Sequence, residues 1–149
     1  MGIESAYILS SKLDESHLEL IHQKLSQESY WAFGRDKETV INSFQQSLGL
    51  GLLEKQTGQL SGFCRVISDY STVAYLLDFF IMDDQRGQGL GKFMLETVLS
   101  YPRLQNVKRW MLATKDAHAF YGQFGFNTIA QPEFFMEKWV DGGGESNEC

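Results

Sequence analysis

The sequence predicts a mixed α/β domain in which a mostly antiparallel sheet leads into a parallel β-α-β crossover. Three observations carry this expectation. Strand-like and helix-like periodicities are interleaved along the chain. Three strand-like runs lie close together between residues 50 and 82, separated only by turn-forming residues, so an antiparallel meander is the simplest connection. The last run ends in a glycine-rich turn and a helix before another strand, and a crossover of that kind is right-handed.

The elements follow in order. Ala6 to Ser10 reads as a short strand. Asp14 is placed to cap a helix in which Leu18, Ile21, His22 and Leu25 recur at helical spacing. A second helix is expected from Asp36 to Ser47, with Val40, Phe44 and Leu48 on one stripe. Strands are expected at Leu50 to Glu54, Gly62 to Ile67 and Val73 to Met82, with Thr57-Gly58 and Asp69-Tyr70-Ser71 supplying the turns. Beyond Lys92 the helical spacing of Phe93, Met94, Val98 and Leu99 runs to Pro102. Lys108 to Ala113 reads as a strand, Asp116 to Phe124 as a helix stopped by Gly125, and Phe126 to Ile129 and Phe134 to Trp139 as closing strands. Phe44, Phe63, Trp110, Met111 and Trp139 are assigned to core packing. The expected domain is 1–140, and 141–149, which has nothing to bury, is expected to be a disordered tail.

Composition narrows the function. With 43% hydrophobic and 21% charged residues, the 149-residue chain can bury one core and lies outside the composition of disordered proteins. Thirteen Lys and Arg against 19 Asp and Glu give a net charge of −6, which works against binding a nucleic-acid backbone. No apolar stretch approaches the ~20 residues of a membrane span, so no membrane partner is expected. Cys64, inside a strand-like run, and Cys149 form neither a disulfide framework nor a metal cluster, which points to a reducing compartment and no metal site. Met1 to Ala6 shows no basic segment followed by an apolar one, and the expected location is cytoplasmic.

Gly87, Gly89 and Gly91 alternate where the third strand of the meander turns into a helix. Glycine is costly near a helix start, so close approach by a ligand is the natural explanation. Backbone amides without neighbouring Cβ atoms can face an anion there, and the helix dipole adds roughly 0.3–1 kcal/mol per charge, so the expected ligand carries phosphate. A Walker A loop would need Gly at 86 and Ser or Thr at 93, where the chain has Arg86 and Phe93. The dinucleotide fingerprint would need a third glycine where Lys92 stands, and would follow an opening strand rather than a meander.

Arg86-Gly87-Gln88-Gly89-Leu90-Gly91 resembles the acetyl-CoA loop of the GNAT N-acetyltransferase family. Leu77 to Met82 is similar to that family's central strand, and Ala117 to Phe126, with Tyr121, Gly125 and Phe126, to its late helix. The order and spacing agree from about Leu50 to Trp139. The resemblance implies a mostly antiparallel sheet flanked by helices, with a splayed parallel strand pair that holds acetyl-CoA as co-substrate. It implies that Phe79, Phe80 and Ile81 pair with the pantetheine arm and that amides from Gly87 to Lys92, with Gln88, Gly89, Leu90 and Gly91 between them, hold the pyrophosphate. Arg86 and Lys92 would offset Asp83 and Asp84. Thr114, where the family has Asn, and Ala117 would border the cofactor at the start of the late helix.

Tyr121 is implied as the general acid that protonates the departing thiolate, against a packing role at a helix end. Asp78 is the leading candidate base, because a carboxylate inside an apolar strand is desolvated unless paired; the alternative is a buried carboxylate satisfied by backbone donors or by an arginine such as Arg65. His118 is the weaker candidate. Tyr30, Trp31, Phe33 and Arg35, in a segment that resembles a small GNAT subgroup, are candidates for the acceptor site, the alternative being aromatics that plug the core. The central strand resembles that of polyamine acetyltransferases but has Leu77 where they have Glu, so long polyamines are expected to be poor substrates.

The function these residues imply is an N-acetyltransferase that passes acetyl from acetyl-CoA directly to a small-molecule or peptide amine, without a covalent intermediate. The alternative is a non-catalytic acyl-CoA-binding protein or sensor. The oligomeric state stays open between monomer and homodimer.

Overall fold

A computed structural model of the chain describes residues 2–87 and 89–140. The tail expected at 141–149, and Gln88 in the glycine turn, lie outside the described residues. Five strands form one sheet in the order β1-β2-β3-β4-β5: β1 (Tyr7–Ser10), β2 (Leu48–Glu54), β3 (Leu60–Ser68), β4 (Val73–Ile81) and β5 (Arg109–Met111). The first four are antiparallel, whereas β5 runs parallel to β4. The helices are a single turn, α1 (Ile3–Ala6), then α2 (Glu15–Glu28), α3 (Lys37–Gln45), α4 (Leu90–Leu99) and α5 (His118–Gly122).

Local chemistry sets the helix starts. The Asp14 carboxylate accepts the His17 amide at 2.9 Å, and the His17 ring accepts the Asp14 amide at 3.2 Å, a reciprocal cap that opens α2. Leu18, Ile21 and Leu25 then fall on one buried face. They pack with Val40 and Phe44 of α3 and with Phe63 and Phe80, which stack at 5.2 Å between centroids. On the other side of the sheet, Leu90, Met94, Leu95 and Val98 of α4 cover Leu50, Leu52, Cys64, Val66 and Leu76. Each fully buried side chain of this kind contributes roughly 1.5–3 kcal/mol.

One irregularity in β4 positions everything that follows. Arg65 lies opposite Leu77 and Phe63 opposite Phe80, so three steps along β4 answer two along β3. The extra residue is a bulge. Asp78 sits in it with φ 53°, one of two non-glycine residues at positive φ among those described. The bulge shifts the alternation: Ala74 and Leu76 belong to the core beneath α4, but Phe80 belongs to the opposite one, and Phe79 and Ile81 turn to the α4 side. Strand β4 also leaves its neighbour here. Its pairing with β5 runs from Val73 and Arg109 to Tyr75 and Met111 and stops.

Two expectations are corrected. Strands at Phe126 to Ile129 and Phe134 to Trp139 are not formed among the described residues, where Pro132–Phe134 make a 3-10 turn instead. Their apolar composition suits a strand, but a strand also needs a paired edge, which local sequence does not specify. Trp139, assigned to the core, is 39% exposed. No helix among the described residues is long and apolar enough to cross a membrane.

Candidate functional site

Where β4 and β5 part, the chain lines a groove of about 560 Å³ and, joined to it, a small pocket of about 90 Å³. Phe79, Phe80 and Ile81 form the strand side of the groove and Ala117, Phe120 and Tyr121 the facing side. Its far end is the glycine turn, through Arg86, Gly87, Gly89, Leu90 and Gly91.

That turn is built for positive φ. Gly87 stands at φ 83° and Gly89, which precedes the first residue of α4, at φ 79°. A Cβ at Gly87 would meet nothing within 4 Å, so it is backbone conformation, and not lack of room, that calls for glycine there. The first intrahelical bond of α4 runs from the Phe93 amide to the Gly89 carbonyl at 3.1 Å. The amides of Leu90, Gly91 and Lys92 therefore precede the helix's own bonding pattern and point out of its positive end. Arg86 pins the turn back to the strand. Its Nε donates to the Ile81 carbonyl at 2.9 Å, its Nη1 meets Asp83 at 2.7 Å, and the guanidinium lies 5.1 Å from the Phe80 ring centroid. Lys92 is exposed on the first turn of α4.

At the opposite end, Tyr121 lines the groove and the small pocket together. Its ring meets Phe79 edge-on at 6.1 Å, Phe120 at 5.1 Å and Phe126 at 5.9 Å. Thr114 accepts the Ala117 amide at 3.1 Å, capping the turn that leads into α5. Thr114 lines the small pocket and Ala117 both cavities.

The segment after α2 closes the pocket. The Tyr30 hydroxyl accepts the Lys115 amide at 3.1 Å, tying this segment across the β4-β5 gap. Trp31 stands edge-on to Tyr30 at 5.0 Å and donates its Nε1 to Asp78 Oδ1 at 2.9 Å. Asp78 Oδ2 accepts Arg65 Nε at 2.6 Å and faces Arg35 Nη1 at 3.5 Å. The carboxylate is 1% exposed, and both of its oxygens are engaged. Its field and burial push the Cys64 thiol well above the usual range, with burial the larger cause, so that thiol stays protonated.

The described residues thus bring together Phe79, Phe80, Ile81, Arg86, Gly87, Gly89, Leu90, Gly91, Ala117 and Tyr121 in one groove, with Tyr30 and Trp31 over it and Thr114 and Asp78 in the adjoining pocket. Phe33 and Arg35 line neither cavity: Phe33 is 75% exposed, and Arg35 turns to Asp78. Asp116, Phe120 and Glu28 line the groove without having been expected there. Their only sequence signal is proximity, Asp116 and Phe120 to Tyr121 and Glu28 to Tyr30.

A strand pair that opens at a bulge, with left-handed glycines at one end and a tyrosine at the other, defines a site for an elongated ligand with an anionic end. The sequence model of the acetyltransferase (GNAT) family matches residues 18–126, from α2 to the residue after Gly125. A crystal structure of a presumed GNAT-family acetyltransferase from Xanthomonas campestris pv. campestris is 38% identical, with a TM-score of 0.82 over 91% of this chain and 94% of that one. A presumed acetyltransferase of Gibberella zeae is 25% identical over 138 residues, 78% of this chain and 76% of that protein. At 16% identity, a presumed acetyltransferase from Deinococcus radiodurans R1 shares the fold, with a TM-score of 0.67 over 100% of this chain and 97% of that one. The chain belongs to the GNAT acetyltransferase family.

Proposed function

We propose that the protein is an N-acetyltransferase that takes acetyl from acetyl-CoA and passes it directly to a small primary amine. The observation that carries this is the groove itself: β4 and β5 part after Tyr75, the amides of Leu90, Gly91 and Lys92 lie at one end, and Tyr121 stands at the other. The site fits the co-substrate. Glycines at positive φ let backbone amides approach a pyrophosphate, and the open edge of Phe79–Ile81 suits the amide-bearing pantetheine arm.

In this reading Tyr121 donates a proton to the sulfur as negative charge develops there. Asp78 anchors Trp31 and the two arginines and is not assigned as base, because both oxygens are already engaged by donors. Asp116 borders both cavities and favours an ammonium arriving from solvent, where its proton can be lost before attack. The acceptor pocket, at about 90 Å³ between Trp31, Phe79 and Tyr121, suits a small amine with an apolar portion. Long polyamines such as spermidine are expected to be poor substrates.

The engaged state of Asp78 is also the observation that favours the second reading, an acyl-CoA sensor without turnover. Thiol release from acetyl-CoA across a panel of primary amines tests the two. Amine-dependent release supports transfer, and a monoamine should exceed spermidine in kcat/KM. Tight binding with no release on any amine supports the sensor.

A further inference from the structure

Direct transfer to an amine leaves one proton to be placed. Once a neutral amine has attacked a thioester carbon its nitrogen carries a positive charge, and a proton must leave it before the amide is complete. Among the described residues three carboxylates line the groove or the small pocket, Glu28, Asp78 and Asp116, and they are not equivalent. Asp78 is 1% exposed, with both oxygens engaged. Glu28 lines the groove alone and is held by Lys24 at 2.8 Å. Asp116 is exposed, has no hydrogen-bond or ion-pair partner among the described residues, and lines both cavities. His118 lines neither.

An amine in the pocket and a thioester in the groove can meet only where the two cavities join. The side chains common to both are Tyr30, Trp31, Phe79, Asp116, Ala117 and Tyr121. Asp116 is therefore the carboxylate that shares the junction with the Tyr121 hydroxyl. Its backbone is pinned on either side: the Lys115 amide donates to the Tyr30 hydroxyl at 3.1 Å, and the Ala117 amide to Thr114 Oγ1 at 3.1 Å. The Lys115 ammonium lies 5.5 Å from the Tyr30 ring centroid and forms no ion pair with its neighbour Asp116.

We infer that Asp116 is the proton acceptor of the transfer and that Tyr30 is its positioning residue. This rests on the transfer reading proposed above. The amine enters neutral, its ammonium proton already lost to solvent. Its lone pair forms the new C–N bond while the carbonyl electron pair moves to oxygen, and the nitrogen, now positive, becomes far more acidic. Asp116 takes that proton. The carbonyl re-forms as the C–S bond breaks, and the sulfur takes the proton of Tyr121. An amide and a free thiol are then complete. Being exposed, protonated Asp116 gives its proton to solvent, and the tyrosinate recovers one from solvent, so both groups return to their starting state. A hydroxyl that accepts the Lys115 amide holds Asp116 at the junction, and proton transfer depends on such geometry first.

Thiol release from acetyl-CoA with the best monoamine of the panel tests this in wild type, Asp116→Asn, Asp116→Ala with and without formate, and Tyr30→Phe. Acetyl-CoA binding is followed by calorimetry and amide hydrogen exchange at Lys115. For Asp116→Asn the expected result is a kcat lowered ~100-fold to 10,000-fold, with the amine KM and acetyl-CoA affinity within about twofold of wild type. Formate should restore part of the kcat lost in Asp116→Ala, because a small carboxylate can reach an exposed position. Tyr30→Phe should speed exchange at Lys115 and lower kcat by a smaller factor, with the amine KM kept. A kcat kept by Asp116→Asn at saturating amine, with a raised KM that added salt equalises, overturns the proposal and leaves Asp116 only attracting the ammonium. Weakened acetyl-CoA binding by that variant, or no rescue by formate, overturns it as well. An unchanged kcat in Tyr30→Phe overturns the positioning role. Wild type that binds acetyl-CoA and releases no thiol with any amine overturns the transfer reading itself, a result distinct from turnover that ignores Asp116.

Discussion

Asp78 is held by several constraints at once: a positive φ, a bond from Trp31, a bond from Arg65 and the charge of Arg35. A non-glycine residue in that backbone region persists only where its surroundings over-determine it, at a cost of about 1–3 kcal/mol. Removing the carboxylate charge leaves two guanidinium groups facing an uncharged partner. Asp78→Asn, which tolerates the same backbone, is therefore expected to lower unfolding free energy by about 3 kcal/mol, read by denaturant titration. If Asp78 were also the base, kcat of the folded variant would fall by orders of magnitude as well, so a kcat that is largely kept supports the anchoring role. Tyr121→Phe is the complementary case. In its proposed role the hydroxyl acts when charge develops on sulfur, so kcat should fall ~100-fold to 10,000-fold while acetyl-CoA affinity stays within about twofold. An unchanged kcat, with chemistry rate-limiting, would leave Tyr121 as a packing residue between Phe79 and Phe126. The sequence made Tyr121 and the glycines legible because their spacing is local. It could not decide between the two roles of Asp78, because Trp31 lies 47 residues away and Arg65 13.

At the scale of elements, the β3-β4 hairpin shows what short-range chemistry can fix. The Asp69 carboxylate accepts the amides of Ser71, Thr72 and Val73 at 3.0, 2.8 and 3.2 Å, and the Thr72 hydroxyl at 2.6 Å. The Thr72 hydroxyl, followed by these amides, holds that carboxyl far below the usual carboxylate range. A depressed value in the folded state adds stability above the unfolded carboxylate pKa, and that contribution is lost as pH falls from about 4 toward the folded value. Asp69→Ala should thus destabilise at neutral pH, and the gap to wild type should narrow on acidification below about pH 4, followed by thermal melts. A gap that stays constant from neutral to acid would contradict this account of the turn. Such turns, and the cap at Asp14, were readable from residues two to four apart. The bulge was not. Leu77 to Ile81 looks like an uninterrupted strand, and only its register against β3 reveals the extra residue. The closing strands failed for the same reason in reverse, since Phe134 to Trp139 has strand composition but no paired edge among the described residues.

Over the whole molecule, the fold converts one inserted residue into a binding groove. Four antiparallel strands, with helices on both faces, carry β4, whose pairing with β5 stops at Tyr75, shortly before the bulge at Asp78. The crossover through α4 brings the positive end of a helix to one mouth of the gap, and α5 brings Tyr121 to the other. The order of these parts was legible in the sequence because each carries its own motif. The gap itself came only with the family resemblance, because a relation between two strands with α4 between them in the chain is not written in the local pattern of either. The central claim is that an acyl-CoA occupies this gap with its pyrophosphate on the glycine turn. Isothermal calorimetry of wild type and Gly89→Glu with acetyl-CoA tests it most directly, because the substitution places bulk, strain and negative charge at the φ 79° position beside the α4 amides. Wild type should bind, and the variant, folded by circular dichroism, should give no measurable heat. Binding by the variant as tight as that of wild type, or no binding by either, would contradict it.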